Sequence, residues 1–243
     1  MASAGAQETR WLKPGKFRYN PGDTCRITLQ AGERLVGTYL STARDSAGTF
    51  AASVNGEVTD LTASFVSNQR YHLAVPLREE GTYQFTWDRY REFATRNLTE
   101  LQNYLSENGI GGSPVTIEQP FTIHEHTYDI LLVQSGGKKS EVKTSGDFPL
   151  EIIPSKHPYD LKVGEPLTLT IKSYGKPVFG SEVVIRNRYD SRTTIQKIYT
   201  EKDGSLRMHI SSPGPWMISF SQVAAYRNLG SLGITRVNLL FGY

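Results

Sequence analysis

The sequence predicts an all-β protein built as two β-sandwich domains. Three observations predict it. Short apolar runs alternate with polar residues at a period of two. Turn residues separate those runs at roughly the 8–12-residue spacing that sandwiches use. And 12 prolines and 22 glycines are spread along the 243 residues. A chain of this length is expected to hold about two domains.

The first domain is expected over residues 8–153. Lys16–Tyr19 leads into the turn Asn20-Pro21-Gly22-Asp23, after which Cys25, Ile27 and Leu29 point one way and Thr24, Arg26 and Thr28 the other. Asn55-Gly56 suits a type I′ hairpin between Ala51–Val54 and Glu57–Leu61. Tyr71–Val75 is a further short strand. Tyr83, Phe85 and Trp87 then form a period-2 aromatic face, which packs a core more often than it binds a ligand. One helix interrupts the strands near 97–108. Asn97 caps it, Glu100 completes a capping box, Leu98, Leu101 and Leu105 make its apolar stripe, and Asn108-Gly109 stops it. Phe121–Gln134 is a strand, Ser135–Ser145 a polar loop, and Phe148–Ile153 a strand ending at Pro154.

The second domain is expected over residues 154–243, beginning in the linker Pro154-Ser155-Lys156-His157-Pro158. Leu167, Leu169 and Ile171 alternate, as do Val183 and Ile185, Leu206, Met208 and Ile210, then Trp216, Ile218 and Phe220, and finally Val237, Leu239 and Phe241. Turns at Gly175-Lys176-Pro177, Asp203-Gly204 and Pro213-Gly214-Pro215 separate them. Such a series of short strands reads as an immunoglobulin-like sandwich.

Composition excludes several functions. The net charge of +3 is spread among interleaved acids and bases, with no basic stripe, so nucleic acid is not the expected partner. No run of about 18 apolar residues exists to cross a bilayer. The single cysteine, Cys25, closes no internal disulfide and alternates with Ile27 and Leu29 as a buried thiol would. MASAGAQ at the start reads as the small-residue end of a secretory signal or as a cloning remnant. On the first reading the protein is exported to the periplasm or cell surface. No G-x-S-x-G, H-E-x-x-H, P-loop or G-x-G-x-x-G motif is present, and no enzymatic activity is expected.

The residues with distinctive chemistry are His124 and His126, flanking Glu125 in FTIHEHTYDILLVQSG. On a strand both imidazoles share a face, with β-carbons roughly 6–7 Å apart. Neutral imidazole suits nickel, cobalt, copper or zinc, but two ligands are too few for a closed site. The remaining ligands would have to come from an adjacent strand, with His72, Asp129 or a glutamate as candidates. The competing expectation is equally specific. Tyr128, Ile130 and Leu132 lie on the same face, so the histidines would be half-buried, hydrogen-bonded rim residues where the strand leaves the core. Of the other histidines, His157 is expected in solvent between linker prolines and His209 on the outer face of its strand.

Pro149-Leu150-Glu151-Ile152, Pro158-Tyr159, Gly164-Glu165, Gly175-Lys176-Pro177, Gly180, Asp203-Gly204 and Pro213-Gly214-Pro215-Trp216 occur in an order that resembles a bacterial domain-of-unknown-function family. Trp11-Leu12 before a Pro-Gly turn and the segment NYLSENGI resemble it as well. Members are often labelled as the periplasmic component of a cobalt or nickel transport system. The resemblance implies a metal-uptake role with a membrane transporter as partner. Members usually carry a histidine three residues before the tryptophan; here Glu8 holds that slot. The alternative is a glycan- or protein-binding adhesion module without a metal. Its candidate aromatics are Tyr19, Tyr39, Trp87, Tyr90 and Tyr189. A third reading is a purely structural surface domain, with Arg186, Arg188 and Arg192 as charged guards of a strand edge.

Overall fold

A computed structural model describes residues 9–40, 48–66, 73–95, 97–107, 121–142, 148–225 and 231–243. The chain is all-β, as the alternation predicts. Its early strands are β1 (Thr9–Pro14), β2 (Arg18–Tyr19), β3 (Thr24–Glu33), β4 (Val36–Tyr39), β5 (Gly48–Val54) and β6 (Glu57–Asp60). The short helix α1 (Thr62–Val66), β7 (Leu73–Pro76), β8 (Gly81–Thr95), α2 (Leu98–Glu107) and β9 (Phe121–Ser135) follow. Then come β10 (Leu150–Pro154), a single 3-10 turn at Pro158–Asp160, β11 (Pro166–Ser173), β12 (Lys176–Pro177) and β13 (Glu182–Tyr189). The chain ends with β14 (Arg192–Tyr199), β15 (Ser205–His209), β16 (Pro215–Ala225) and β17 (Ser231–Gly242).

These strands form three sheets. The large one has the order β14-β13-β16-β17-β9-β8-β5-β6, with β2 continuing the β17 side of β9. Its neighbours are antiparallel except β17 with β9 and β2 with β9, which run parallel. One small sheet joins β1, β3, β4 and β7, the other β10, β11, β12 and β15. The small sheets cover opposite faces of the large one. Under the first lie Tyr83, Phe85 and Trp87 with Leu131, Val133, Met217 and Leu240. Under the second lie Tyr128, Ile130 and Leu132 with Trp216, Ile218, Val237 and Phe241.

β9 and β17 therefore bury both faces, which is why they carry the continuous runs Ile130–Val133 and Leu239–Phe241 instead of a clean alternation. Each core draws residues from both sides of Pro154, where the sequence predicts the domain boundary.

Local expectations translate directly. Cys25, Ile27 and Leu29 are fully buried, and burial pushes the Cys25 thiol up to about 11. Asn55 and Gly56 have φ of 52° and 89°, the two positive values a type I′ turn requires, between β5 and β6. Asn97 Oδ1 accepts the Glu100 amide at 2.8 Å and caps α2. Leu101 and Leu105 seat α2 on Ile123, Leu232 and Ile234, a small third core. The Asn108-Gly109 stop lies outside the described residues.

Candidate functional site

Antiparallel pairing of β8 with β9 places Tyr128 opposite Asp88, His126 opposite Tyr90 and His124 opposite Glu92. All six are even-numbered and share the face that also carries Ile130 and Leu132. At the Ile130 end this face is sealed by the β10–β11 sheet. Past Tyr128 it opens. The six side chains thus form the polar continuation of a buried core.

The two histidines point to the same side, with side chains 26% and 39% exposed. His126 Nε2 is hydrogen-bonded to Asp88 Oδ1, and its Nδ1 lies 3.3 Å from Tyr128 Oη. His124 Nδ1 lies 3.3 Å from Glu92 Oε2 and 2.6 Å from Tyr90 Oη. Tyr90 Oη also donates to Glu92 at 3.3 Å. The Tyr90 ring sits between the imidazoles, 6.2 Å from His124 and 6.5 Å from His126. Burial, with Asp88 adding to it, raises the Tyr128 phenol to about 12, so that hydroxyl stays protonated. The half-buried, hydrogen-bonded state expected of rim histidines is therefore observed, and two imidazole–carboxylate pairs come with it.

The other two proposed ligands do not join them. Asp129 is odd-numbered and points to the opposite face, where it is 2% exposed and accepts from Arg89 Nε at 2.8 Å and Asn238 Nδ2 at 2.7 Å. Strand alternation puts Glu125 on that face too, and 1% exposed. Burial would raise its carboxyl, but Arg236, Arg91 and Arg89 pull it down to about 2. His72 lies outside the described residues. Among the described residues no three His, Cys, Asp or Glu side chains converge on one point. Glu92 is a glutamate from the adjacent strand, the kind of ligand expected, whereas Asp88 was not among the expected ligands. Their period-2 spacing with Tyr90 was visible in the sequence, but nothing local sets the β8–β9 register that brings them to the histidines.

Beside this patch runs an open groove of about 630 Å³ along β5 and β8. Thr49, Ser53, Thr86 and Asp88 line its floor, and Lys139 and Phe148 belong to its wall. Asp88 belongs to both groove and histidine patch. The far end is pinned by Thr82, which donates to Gln134 Oε1 at 2.8 Å and lies 3.0 Å from His157 Nε2. His157 is thus tied into the structure and half-buried, where the sequence predicted a solvated linker residue. His209 is exposed, as expected.

Of the candidate aromatics, Tyr19 and Trp87 are core residues, 8% and 1% exposed. Tyr39, Tyr90 and Tyr189 are exposed, and of these Tyr90 lies two residues beyond the groove residue Asp88 on the same face of β8. Arg188 and Arg192 lie towards the edge strand, whereas Arg186 is largely withdrawn from solvent.

No curated protein matches the chain significantly. Among solved structures, trypsin-activated alpha-2-macroglobulin from Escherichia coli aligns at 12% identity and a TM-score of 0.23, covering 100% of this chain and 16% of that one. This chain therefore spans about a sixth of that protein. Three N-terminal domains of the highly immunogenic outer capsid protein of bacteriophage RB49 align at 9% identity and a TM-score of 0.19, covering 97% and 100%. Scores this low do not establish a common fold. The sequence itself is decisive on family. The profile of the family described as "Domain of unknown function (DUF4198)" matches residues 8–224, nearly the whole chain, and the protein belongs to that family.

Proposed function

We propose that the protein is an exported, non-enzymatic binding protein whose cargo is a divalent transition metal taken up on the open face of β8 and β9. The observation that carries this reading is the supply of carboxylates from a second strand: Asp88 meets His126 and Glu92 meets His124. Imidazole with carboxylate suits nickel, cobalt, copper or zinc. Two separate donor pairs, instead of a closed set of four ligands, give an ion that remains exchangeable, as handover to a membrane transporter requires.

Titration calorimetry with each of the four ions tests this. Wild-type protein is expected to bind at least one of them saturably. The double variant His124→Ala, His126→Ala is expected to weaken that binding by about tenfold or more. Equal affinity in the variant would remove these residues from the reading.

A second reading has its own observation, the polar groove that contains Asp88, two residues along β8 from the exposed ring of Tyr90. Hydroxyl, amide and carboxylate groups along a groove next to a ring edge are what a short glycan would use, with the tyrosine stacking on a sugar face. Screening immobilised oligosaccharides and then titrating any hit decides it. Tyr90→Ala is expected to lower affinity by about fivefold or more, on the scale of a lost aromatic contact. A hit that binds the variant unchanged would place the ligand elsewhere.

A further inference from the structure

The face of the large sheet opposite the histidines carries a polar band between two apolar areas. Above it lie Leu131, Val133, Met217 and Leu240; below it lie Ile123, Leu232 and Ile234 under α2. The band contains Arg89 and Arg91 on β8, Glu125 and Asp129 on β9, Arg236 on β17 and Arg186 on β13. Ser219 and Ser221 stand on β16, between the last two. Among the described residues it holds these four guanidinium groups against two carboxylates, in a place where charge is expensive unless neutralised.

The carboxylates are already committed. Asp129 is taken by Arg89, 2.8 Å away, and Glu125 by Arg91. Arg236 shares Glu125 with Arg91 in a buried ion pair, Nη2 to Oε1 at 3.3 Å, though without hydrogen-bond geometry. Its Nε donates to Ser221 Oγ at 3.0 Å, while its buried Nη2 has only that ion-pair contact and no well-formed hydrogen bond, in a residue 6% exposed. Arg186 donates from Nη1 to Ser219 Oγ at 3.3 Å and, among the described residues, forms no ion pair with a carboxylate. Burial, and then the like charge of Arg236, lower its pKa to about 10. Arg236 Nη2 is thus left without a well-formed hydrogen bond and Arg186 without a carboxylate partner among the described residues, and each is anchored by a serine hydroxyl that carries a hydrogen of its own.

We propose that Arg186 and Arg236, with Ser219 and Ser221, form a binding site for a small oxyanion, a carboxylate or a phosphate. Guanidinium groups hold such anions through paired, charge-assisted N–H···O bonds, and one or two negative charges would neutralise the surplus. The entrance is on the β14 side. Arg186 retains some exposure, and its register neighbour on the edge strand, Ile195, is 42% exposed. The site lies on the other face of the sheet from the metal and glycan readings and depends on neither.

The test titrates full-length protein in anion-poor buffer with inorganic phosphate and, separately, with acetate, by calorimetry and thermal unfolding. Saturable binding of either, with a matching rise in Tm, is the expected result, and the tighter of the two identifies the ligand class. Arg186→Gln is expected to lose about tenfold or more in affinity, the scale of a lost charge-assisted bond. In anion-poor buffer it is expected to be no less stable than wild type, because it removes an uncompensated buried charge. Ser221→Ala, which unties Arg236, provides an independent arm should Arg186→Gln fold poorly. Absence of saturable binding by both anions overturns the proposal, and so does unchanged affinity in Arg186→Gln or, where that variant folds poorly, in Ser221→Ala.

Discussion

His157 shows how a single side chain couples the site to stability. Its Nδ1 accepts the Tyr159 amide at 3.2 Å, and its Nε2 lies 3.0 Å from Thr82 Oγ1 at the end of the groove. Burial lowers its pKa below the usual imidazole value, and Lys139 and Arg18 act in the same direction against Asp160. The native state therefore prefers the neutral ring. As pH falls past about 6.5 the unfolded chain takes up its proton first, so this residue's contribution is complete above that pH and is lost on the way down towards the native pKa. We expect urea-unfolding free energy to fall between about pH 7 and pH 5, and His157→Asn to flatten that slope relative to wild type. Parallel pH profiles in the two proteins would mean that His157 does not titrate between the folded and unfolded states. In the sequence this histidine reads as a solvated linker residue, because the prolines beside it are local while Thr82 lies 75 positions away.

At the scale of the element, side-chain alternation made most strands legible. Cys25–Leu29, Tyr83–Trp87 and Val183–Ile185 bury the faces their period predicts, and the Asn55-Gly56 turn and Asn97 cap follow from residue chemistry alone. Alternation also aimed both histidines to one side and set Glu125 apart from them. It likewise excludes Asp129 as a ligand beside them, because residue 129 cannot share a face with 124 and 126 on an unbroken strand. What alternation cannot supply is register between strands. The β8–β9 pairing that delivers Asp88 and Glu92 is set by long-range packing on both faces of β9, not by a short turn. The run Ile130–Val133 does carry positional information, since four consecutive apolar residues on a strand signal burial on both sides. A strand buried on both sides belongs in the middle of a sheet.

At the scale of the molecule, that middle position changes what the Pro154 boundary means. β9 precedes it and β17 follows it, yet the two pair along most of their length. Met217 and Leu240 help fill the core beneath the β1–β3 sheet, while Tyr128, Ile130 and Leu132 help fill the one beneath the β10–β11 sheet. A chain ending at Pro154 would keep β8 and β9 but leave the second face of β9 and its β17 edge in water. Each exposed leucine- or isoleucine-sized side chain then forfeits about 1.5–3 kcal/mol, and several are involved, against a total stability of only about 5–15 kcal/mol. The unpaired edge of β9 would also invite intermolecular pairing. We therefore expect residues 1–154 alone to show no cooperative urea transition and to aggregate, while the full chain unfolds in one step whether followed by tryptophan fluorescence or by far-ultraviolet circular dichroism. A soluble 1–154 fragment with a sharp transition would instead show that the first sandwich is stable without the second. In that case the shared sheet would be a docking surface between finished domains, and the arginine band, which takes residues from both halves, would be assembled only when they meet.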